Sequence, residues 1–140
     1  MPKKMWINLP VKNVEQSVAF YTKLGFNFNT KHGKEGQSAC MLVGENSFVV
    51  MLFEENIFNT FTGNKLPDNE KLSEVLFSID AESKNEVNEF SQKVEQAGGK
   101  IYRKATENEG WIYGFGFCDL DGHRWNMIYM DEKKLNKPII

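Results

Sequence analysis

The chain has 140 residues, the length of one ordinary domain, so two separately stable domains are not expected. Hydrophobic residues make up 41% and charged residues 26%, which is the composition of a globular protein and argues against a disordered or membrane-embedded chain. The formal net charge of −2 comes from scattered lysines and glutamates and gives no broad positive field. We therefore expect neither a nucleic acid nor a membrane surface as a partner.

The first residues and the cysteines indicate the cellular compartment. The first residues lack the apolar run of about 7–15 residues that a signal peptide needs, and no segment is long enough to cross a bilayer. Cys40 and Cys118 lie in apolar, strand-like segments without the spacing of metal ligands. We therefore expect reduced, buried thiols in a cytoplasmic protein.

The first half of the chain predicts a strand, a helix and three more strands. Alternation of apolar and polar residues indicates a half-buried strand from Trp6 to Val11. Asn13, with Gln16 three residues later, forms the capping box of a helix that ends at Gly25. The three further strands are expected at residues 26–31, 38–43 and 48–53.

The second half repeats this order. Residues 54–73 start as a short amphipathic piece and continue as a polar, proline-containing stretch, which predicts a connector. A strand from Val75 to Ile79 follows, and then a helix that begins at the capping box of Ser83 and Glu86 and ends at two glycines. The remaining strands are expected at residues 100–104, 111–118 and 124–130.

The repeated order predicts an α+β fold of two βαβββ modules, whose curved mixed sheets form half-barrels around a cup. One helix can cover only one face of each sheet, so the other faces either pack together or surround a ligand. We expect one domain over residues 1–140. It would consist of module one at residues 5–53, the connector at 54–73, module two at 74–130 and a tail at 131–140.

Three segments of the chain carry a family resemblance. They are the stretch from Ile7 to Phe26, the residues from Glu95 to Gly99, and the turn Asp119-Leu120-Asp121-Gly122-His123. In this order they resemble vicinal-oxygen-chelate proteins, the superfamily of glyoxalases, bleomycin resistance proteins and dioxygenases. The branch that they resemble is that of predicted lactoylglutathione lyase-like proteins. The resemblance implies a glyoxalase-like fold and a homodimer.

Metal-using members of this superfamily hold a divalent ion with four side chains, usually His or Glu. By resemblance, the four positions fall on Trp6, Met51, Glu74 and Asn126. Only Glu74 is a good ligand, because an indole cannot coordinate, a thioether is soft and a neutral amide oxygen binds weakly. We therefore expect no metal and no other cofactor, which disfavours metal-dependent lyase and dioxygenase chemistry.

The two histidines do not restore the site. His32 lies in a predicted turn beside Gly33, and His123 follows Gly122 at the start of the last strand. Histidines in such positions are more often solvated loop residues than ligands. We expect both to be exposed.

Side chains that alternate onto the same strand faces as the four metal positions would point into the cup. They form an apolar lining with a few hydrogen-bonding groups. This lining predicts binding of a small, partly apolar organic molecule, although the same side chains would also serve to fill the cup as core. Gly114 and Gly116 leave room for a ligand or for another backbone. The candidate ligand-binding residues are Trp6, Asn8, Met51, Phe53, Leu76, Ser78, Asn126 and Ile128.

Glu74 is the candidate catalytic residue. It could serve as the base of a metal-free isomerase, or as the anchor of a divergent lyase or dioxygenase-type enzyme. Alternatively, it is a solvated carboxylate at a strand entrance. The main hypothesis is thus a protein that binds a small molecule without a metal. The two alternatives are an enzyme that uses Glu74 and an assembly module whose cup is filled by its own side chains.

Overall fold

The computed structural model of the protein describes residues 1–134. It divides into two compact units, one from Met1 to Asp68 and one from Asn69 onward, and the boundary lies within the connector predicted at 54–73. Each unit has a four-stranded mixed sheet with the expected order of elements, so the α+β fold of two βαβββ modules is confirmed. No helix within residues 1–134 is long and apolar enough to cross a membrane. Residues 135–140 of the predicted tail lie outside the described residues.

The first unit holds four strands and two helices. In its sheet the strands lie in the order β1-β4-β3-β2, with β1 parallel to β4 and the other neighbours antiparallel. The second helix falls in the predicted connector. The elements are β1 (Ile7–Val11), α1 (Val14–Lys23), β2 (Asn27–Lys34), β3 (Ser38–Val43), β4 (Phe48–Glu54) and α2 (Glu55–Thr62).

Helix α1 begins where the sequence predicts. The Asn13 side chain accepts a hydrogen bond from the Gln16 backbone N–H at 2.9 Å, which satisfies one of the free donors of the first turn. The helix buries the aromatic rings of Phe20 and Tyr21, which meet edge to face at 5.1 Å between centroids. This apolar stripe fixes α1 against its own sheet.

The second unit repeats the arrangement with the strand order β5-β8-β7-β6, and β5 is parallel to β8. Its helix is capped by Ser83, which accepts from the Glu86 backbone N–H at 3.1 Å. The core contains the stacked rings of Phe115, Phe117 and Trp125. The elements are β5 (Leu76–Ala81), α3 (Lys84–Gln96), β6 (Lys100–Asn108), β7 (Ile112–Cys118) and β8 (Arg124–Met130), followed by a 3-10 turn (Glu132–Lys134).

Two strands are longer than predicted because bulges interrupt their alternation without ending them. β2 continues to Lys34, with a shift of register between Phe28 and Gly33, so the turn expected from residue 32 starts later. β6 continues to Asn108 through shifts around Arg103. Gly33 has a φ of 108°, and a Cβ there would lie 2.7 Å from the Ser38 carbonyl oxygen, so this bulge requires glycine.

Candidate functional site

Each sheet has one face toward its own module helix and one face turned away, which we call the distal face. In the first sheet, Leu9, Val50 and Leu52 share the helix side and are buried. The residues adjacent to these along each strand point to the distal face, because successive side chains of a strand alternate between its two faces. The distal face therefore holds the positions that the sequence assigns to a ligand.

The structure places seven of the eight predicted ligand-binding residues on strands. Asn8 pairs with Met51 across β1 and β4, and Ser78 pairs with Asn126 across β5 and β8. Trp6 directly precedes β1 and is 55% exposed. The structure thus brings these residues together in neighbouring pairs on each distal face, and their role in binding stays a prediction. The distal-face members are Asn8, Met51 and Phe53 in the first unit and Leu76, Ser78, Asn126 and Ile128 in the second.

The four positions that correspond to the superfamily's metal ligands do not form a donor set for a hard divalent ion. They hold an indole, a thioether, a carboxylate and a primary amide, in Trp6, Met51, Glu74 and Asn126. Within residues 1–134, no group of three or more His, Cys, Asp or Glu side chains is arranged to hold a metal ion. The residues present therefore do not fit the metal of the superfamily.

Glu74 is exposed and lies in a bend two residues before β5. The strand was expected to begin at Val75, but it begins at Leu76, so Glu74 is outside the sheet. Its position agrees with a solvated carboxylate at a strand entrance, and its catalytic role stays a prediction.

The predictions for the histidines were wrong in part. His32 is exposed as expected, but it lies in β2 rather than in a turn. His123 is buried instead of solvated, because its backbone N–H donates to Asp119 Oδ1 at 2.9 Å and its Nδ1 lies 3.4 Å from the amide nitrogen of Asn69. Asp119 also accepts from the Asp121 backbone N–H, so the turn is built by local side-chain bonds as its sequence predicts.

A cleft of 350 Å³ opens in the first unit, within the size range of small-molecule sites. Phe53 from the distal face forms its apolar floor together with α2, and the rings of Phe53 and Phe61 meet edge to face at 5.0 Å. Polar side chains from β2, β3 and their turn form the remaining wall. The lining residues are Lys31, His32, Gly33, Lys34, Gln37, Ser38, Phe53, Ile57 and Phe61.

Hydrogen bonds hold both walls of this cleft in place. The Ser38 hydroxyl oxygen accepts from the Lys34 backbone N–H at 3.1 Å, and the Glu54 backbone N–H donates to the Gln37 carbonyl at 2.9 Å. Glu54 also caps α2 by accepting from the backbone N–H groups of Asn56 and Ile57. The hairpin of β2 and β3 and the start of α2 are thus tied to the same end of β4.

The part of the second unit's distal face that lies beside Gly116 is occupied by side chains of the same unit, whereas Leu76 and Ser78 on β5 stay exposed. The Tyr102 ring lies against Gly116, and the Arg124 guanidinium stacks over that ring at 4.3 Å from its centroid. Tyr102 also donates a hydrogen bond to the Trp125 carbonyl at 3.3 Å, and burial raises the pKa of its phenol. The space expected beside Gly116 is therefore taken up by a side chain of the same unit. Beside Gly114 it is taken by the β8 backbone.

Two polar groups of this face are buried without a partner. The Oδ1 atom of Asn126 and the Nε atom of Arg124 make no hydrogen bond with any residue from 1 to 134. A buried acceptor that lacks a donor costs roughly 1–3 kcal/mol. Asn126 is therefore an acceptor for which the protein supplies no donor in the described part of the chain.

Sequence reasoning found Phe53 but missed the cleft around it. The signals that were present are three basic residues within four positions, Lys31, His32 and Lys34, and the apolar side of the short amphipathic piece that includes Ile57. Their convergence depends on the bulge in β2, which alternation alone does not reveal.

Comparisons with known proteins place the chain in one family. The family described as "Bleomycin resistance protein-like N-terminal" matches residues 3–44. A search among curated proteins finds no match. Among solved structures, the "hypothetical protein SA1046" of S. aureus has 32% sequence identity and a TM-score of 0.82, over 92% of this chain and 94% of its own.

More distant solved structures share the fold. A glyoxalase/bleomycin resistance protein/dioxygenase family enzyme from Burkholderia phytofirmans PsJN has a TM-score of 0.75 and 12% identity, over 89% of this chain and 96% of its own. A lactoylglutathione lyase from Agrobacterium tumefaciens has a TM-score of 0.67 and 17% identity, over 99% of this chain and 100% of its own. At these identities the likeness concerns the fold alone.

Proposed function

Since the chain belongs to the glyoxalase/bleomycin resistance protein/dioxygenase family, which has the vicinal-oxygen-chelate fold, we propose that it binds a small, partly apolar organic molecule without a metal ion. The observation that carries the proposal is the cleft of the first unit, where an aromatic floor meets several polar side chains. Binding sites for small organic molecules are typically apolar cavities with a few placed polar groups.

The chemistry of the superfamily's metal positions supports the metal-free part. An indole and a thioether at Trp6 and Met51 provide apolar surface where other members provide ligands. Asn126 keeps a hydrogen-bonding group whose buried Oδ1 has no donor in residues 1–134. A neutral amide oxygen binds a hard cation weakly, so this group does not restore the metal site.

The uncharged fluorescent probe N-phenyl-1-naphthylamine tests the proposal. We expect saturable binding in the presence of excess EDTA. Phe61→Ser should weaken it about 5- to 10-fold, because the variant removes about 1–1.5 kcal/mol of apolar contact. Phe48→Ser is the matched control, since Phe48 is an exposed phenylalanine outside the cleft. Absence of saturable binding, or equal weakening by both variants, would refute a binding site in this cleft.

Metal analysis of the purified protein tests the second half of the proposal. We expect no stoichiometric metal, and no shift of melting temperature when nickel, zinc, manganese or iron(II) is added. One equivalent of bound metal would overturn the metal-free interpretation and would make Glu74 the leading candidate for a metal ligand.

We also propose that the protein is a homodimer. The support is a pair of exposed apolar side chains at the start of each module, Met5 and Trp6 before β1 and Val75 and Leu76 at β5. Large exposed apolar side chains of this kind are common at protein interfaces. Sedimentation equilibrium should give the mass of two chains, and Met5→Ser with Val75→Ser should weaken the dimer. A monomer at micromolar concentration would refute the assignment.

A cytoplasmic location completes the proposal. Cys40 and Cys118 are both free and buried, which suits a reducing compartment. Mass spectrometry of protein trapped with a thiol reagent directly from cells should find both cysteines reduced. A disulfide or an oxidised thiol in that sample would contradict this location.

A further inference from the structure

We propose that the cleft of the first unit selects an organic anion, whose carboxylate, sulfonate or phosphonate group is held by Lys31, His32 and Lys34. The apolar body of the ligand lies against Phe53 and Phe61. This inference rests on the proposed function and names the chemical class of the ligand.

The side chains that line the cleft give it a positive charge. Two of the residues that line it are lysines and none is an aspartate or glutamate. The side-chain ammonium groups of Lys31 and Lys34 make no ion pair and no hydrogen bond with any residue from 1 to 134. Their ammonium groups are therefore available to a bound anion, with no competing carboxylate partner in the described part of the chain.

The bulge in β2 explains why these basic side chains converge. In a regular strand, successive side chains point to opposite faces, so Lys31 and His32 would be separated. The register shift between Phe28 and Gly33 interrupts that alternation, and residues 31 to 34 all border the cleft. Gly33 makes the bulge possible, since a side chain there would collide with the Ser38 carbonyl.

Two acidic residues directly follow lining residues in sequence, Glu35 after Lys34 and Glu54 after Phe53, and neither of them lines the cleft. The carboxylate of Glu54 is already engaged in hydrogen bonds. It accepts from the Asn56 backbone N–H and side-chain amide at 3.1 Å each and from the Ile57 backbone N–H at 3.4 Å. Its negative charge is thus held at the start of α2 rather than facing Lys31 or Lys34.

Neutral donors extend the anion site. The Ser38 hydroxyl oxygen accepts from the Lys34 backbone, which leaves the hydroxyl hydrogen free to donate to an anion. The Gln37 side-chain amide borders the cleft next to it. Together with the lysines these groups provide the several donors that an oxyanion accepts.

The aromatic wall requires an apolar body beside the charge. Phe53 and Phe61 meet edge to face, and Phe61 remains 61% exposed in spite of that contact. A flat apolar group stacked on Phe61 would cover this surface. An inorganic anion alone would leave it uncovered, so the preferred ligand combines both features.

Two probes with the same ring system separate charge selection from apolar binding. 8-Anilinonaphthalene-1-sulfonate is N-phenyl-1-naphthylamine with an added sulfonate. We expect the sulfonate probe to bind the wild-type protein more tightly than the uncharged probe. Its affinity should fall with added salt, because mobile ions screen exposed charges.

The double variant Lys31→Gln/Lys34→Gln should weaken the sulfonate probe about 3- to 10-fold and change the uncharged probe less than about 2-fold. The matched control Lys3→Gln/Lys4→Gln removes the same two charges outside the cleft and should leave both probes unchanged. Circular dichroism checks that each variant is folded.

The outcomes distinguish this inference from the proposed function. If the uncharged probe binds but the sulfonate adds no affinity, or if both lysine pairs have equal effects, anion selection is refuted while small-molecule binding stands. If neither probe binds in a saturable manner, the proposed function fails and the inference fails with it. The salt dependence of the wild-type protein decides the matter even if the cleft variant does not fold.

Discussion

Replacing Gly116 by alanine tests whether Tyr102 fills the part of the second unit's distal face that lies beside this glycine. Gly116 lies on β7 in an ordinary extended conformation, so alanine causes no backbone strain there. A Cβ at this position would nevertheless lie 2.7 Å from the Tyr102 Oη atom and still closer to a carbon of its ring. Such distances are far below the normal contact of about 3.5–4.0 Å between heavy atoms, so the ring must move.

The cost of moving the ring follows from its contacts. Displacement would break the Tyr102 hydrogen bond to the Trp125 carbonyl, worth about 0.5–1.5 kcal/mol, and would loosen the Arg124 stacking, worth about 0.5–1 kcal/mol. Alanine recovers about 0.5–1 kcal/mol relative to glycine, because it restricts the unfolded chain. We therefore expect Gly116→Ala to lower the free energy of unfolding by about 1 kcal/mol.

A double-mutant cycle measured by urea denaturation separates this cause from others. In a Tyr102→Ala background, Gly116→Ala should be neutral or stabilising, because the obstructing ring is gone. Gly114→Ala is the control: a Cβ there would lie 2.6 Å from the Met127 carbonyl oxygen, which belongs to the backbone of β8. Its cost should persist when Tyr102 is removed. An equal loss from Gly116→Ala in both backgrounds would refute the assigned packing.

Three further predictions concern reactivity, capping and charge. Cys40 and Cys118 should react slowly with iodoacetamide in the native protein and fast in urea, because both are buried and burial raises the pKa of each thiol; fast native alkylation would contradict their placement. Asn13→Ala should lower the free energy of unfolding by about 1 kcal/mol in a denaturant titration, whereas Asn13→Gly should cost only a few tenths. Lys84 donates a hydrogen bond of 2.8 Å to Glu107, which holds the pKa of the Glu107 carboxyl below its usual value. The ion pair therefore favours the folded state at neutral pH. This contribution to stability is lost as the pH falls through the lowered pKa. Lys84→Gln should raise that pKa in an NMR titration, and an unchanged titration would show that the pair is not formed in solution.

The sequence predicted strands well where alternation is uninterrupted. The bounds expected for residues 38–43 and 124–130 match β3 and β8, since each strand is regular and ends at a clear turn. The strand expected at 100–104 is four residues longer, because the register of β6 shifts at Arg103 and the apolar pattern loses its period there. Local periodicity therefore identifies a strand but does not show that it continues through a bulge.

Long-range contacts account for the parts of the site that the sequence did not reveal. His123 lies beside a glycine in an aspartate-rich turn, which favours a solvated position, yet Asn69 contacts its ring from 54 residues away. Within its own strand Gly116 likewise offers free space, but Tyr102 from the neighbouring strand fills that space. Neither partner follows from spacing, because each depends on how strands or loops meet in space.

The two modules share a strand order, but their distal faces are filled to different extents. In the second unit, Tyr102 and Arg124 cover the part of the face beside Gly116, and Asn126 Oδ1 is a buried acceptor without a donor in residues 1–134. In the first unit the extra helix α2 stands beside the face and leaves a cleft lined by Phe53 and by the unpaired cations of β2. Equal use of both modules would be expected if the ligand were a metal ion held by one residue from each of four strands. The asymmetry instead favours a ligand whose body and charge are both held by the first unit, which is why substitutions around Phe61 and Lys34 should affect binding more than substitutions around Ser78.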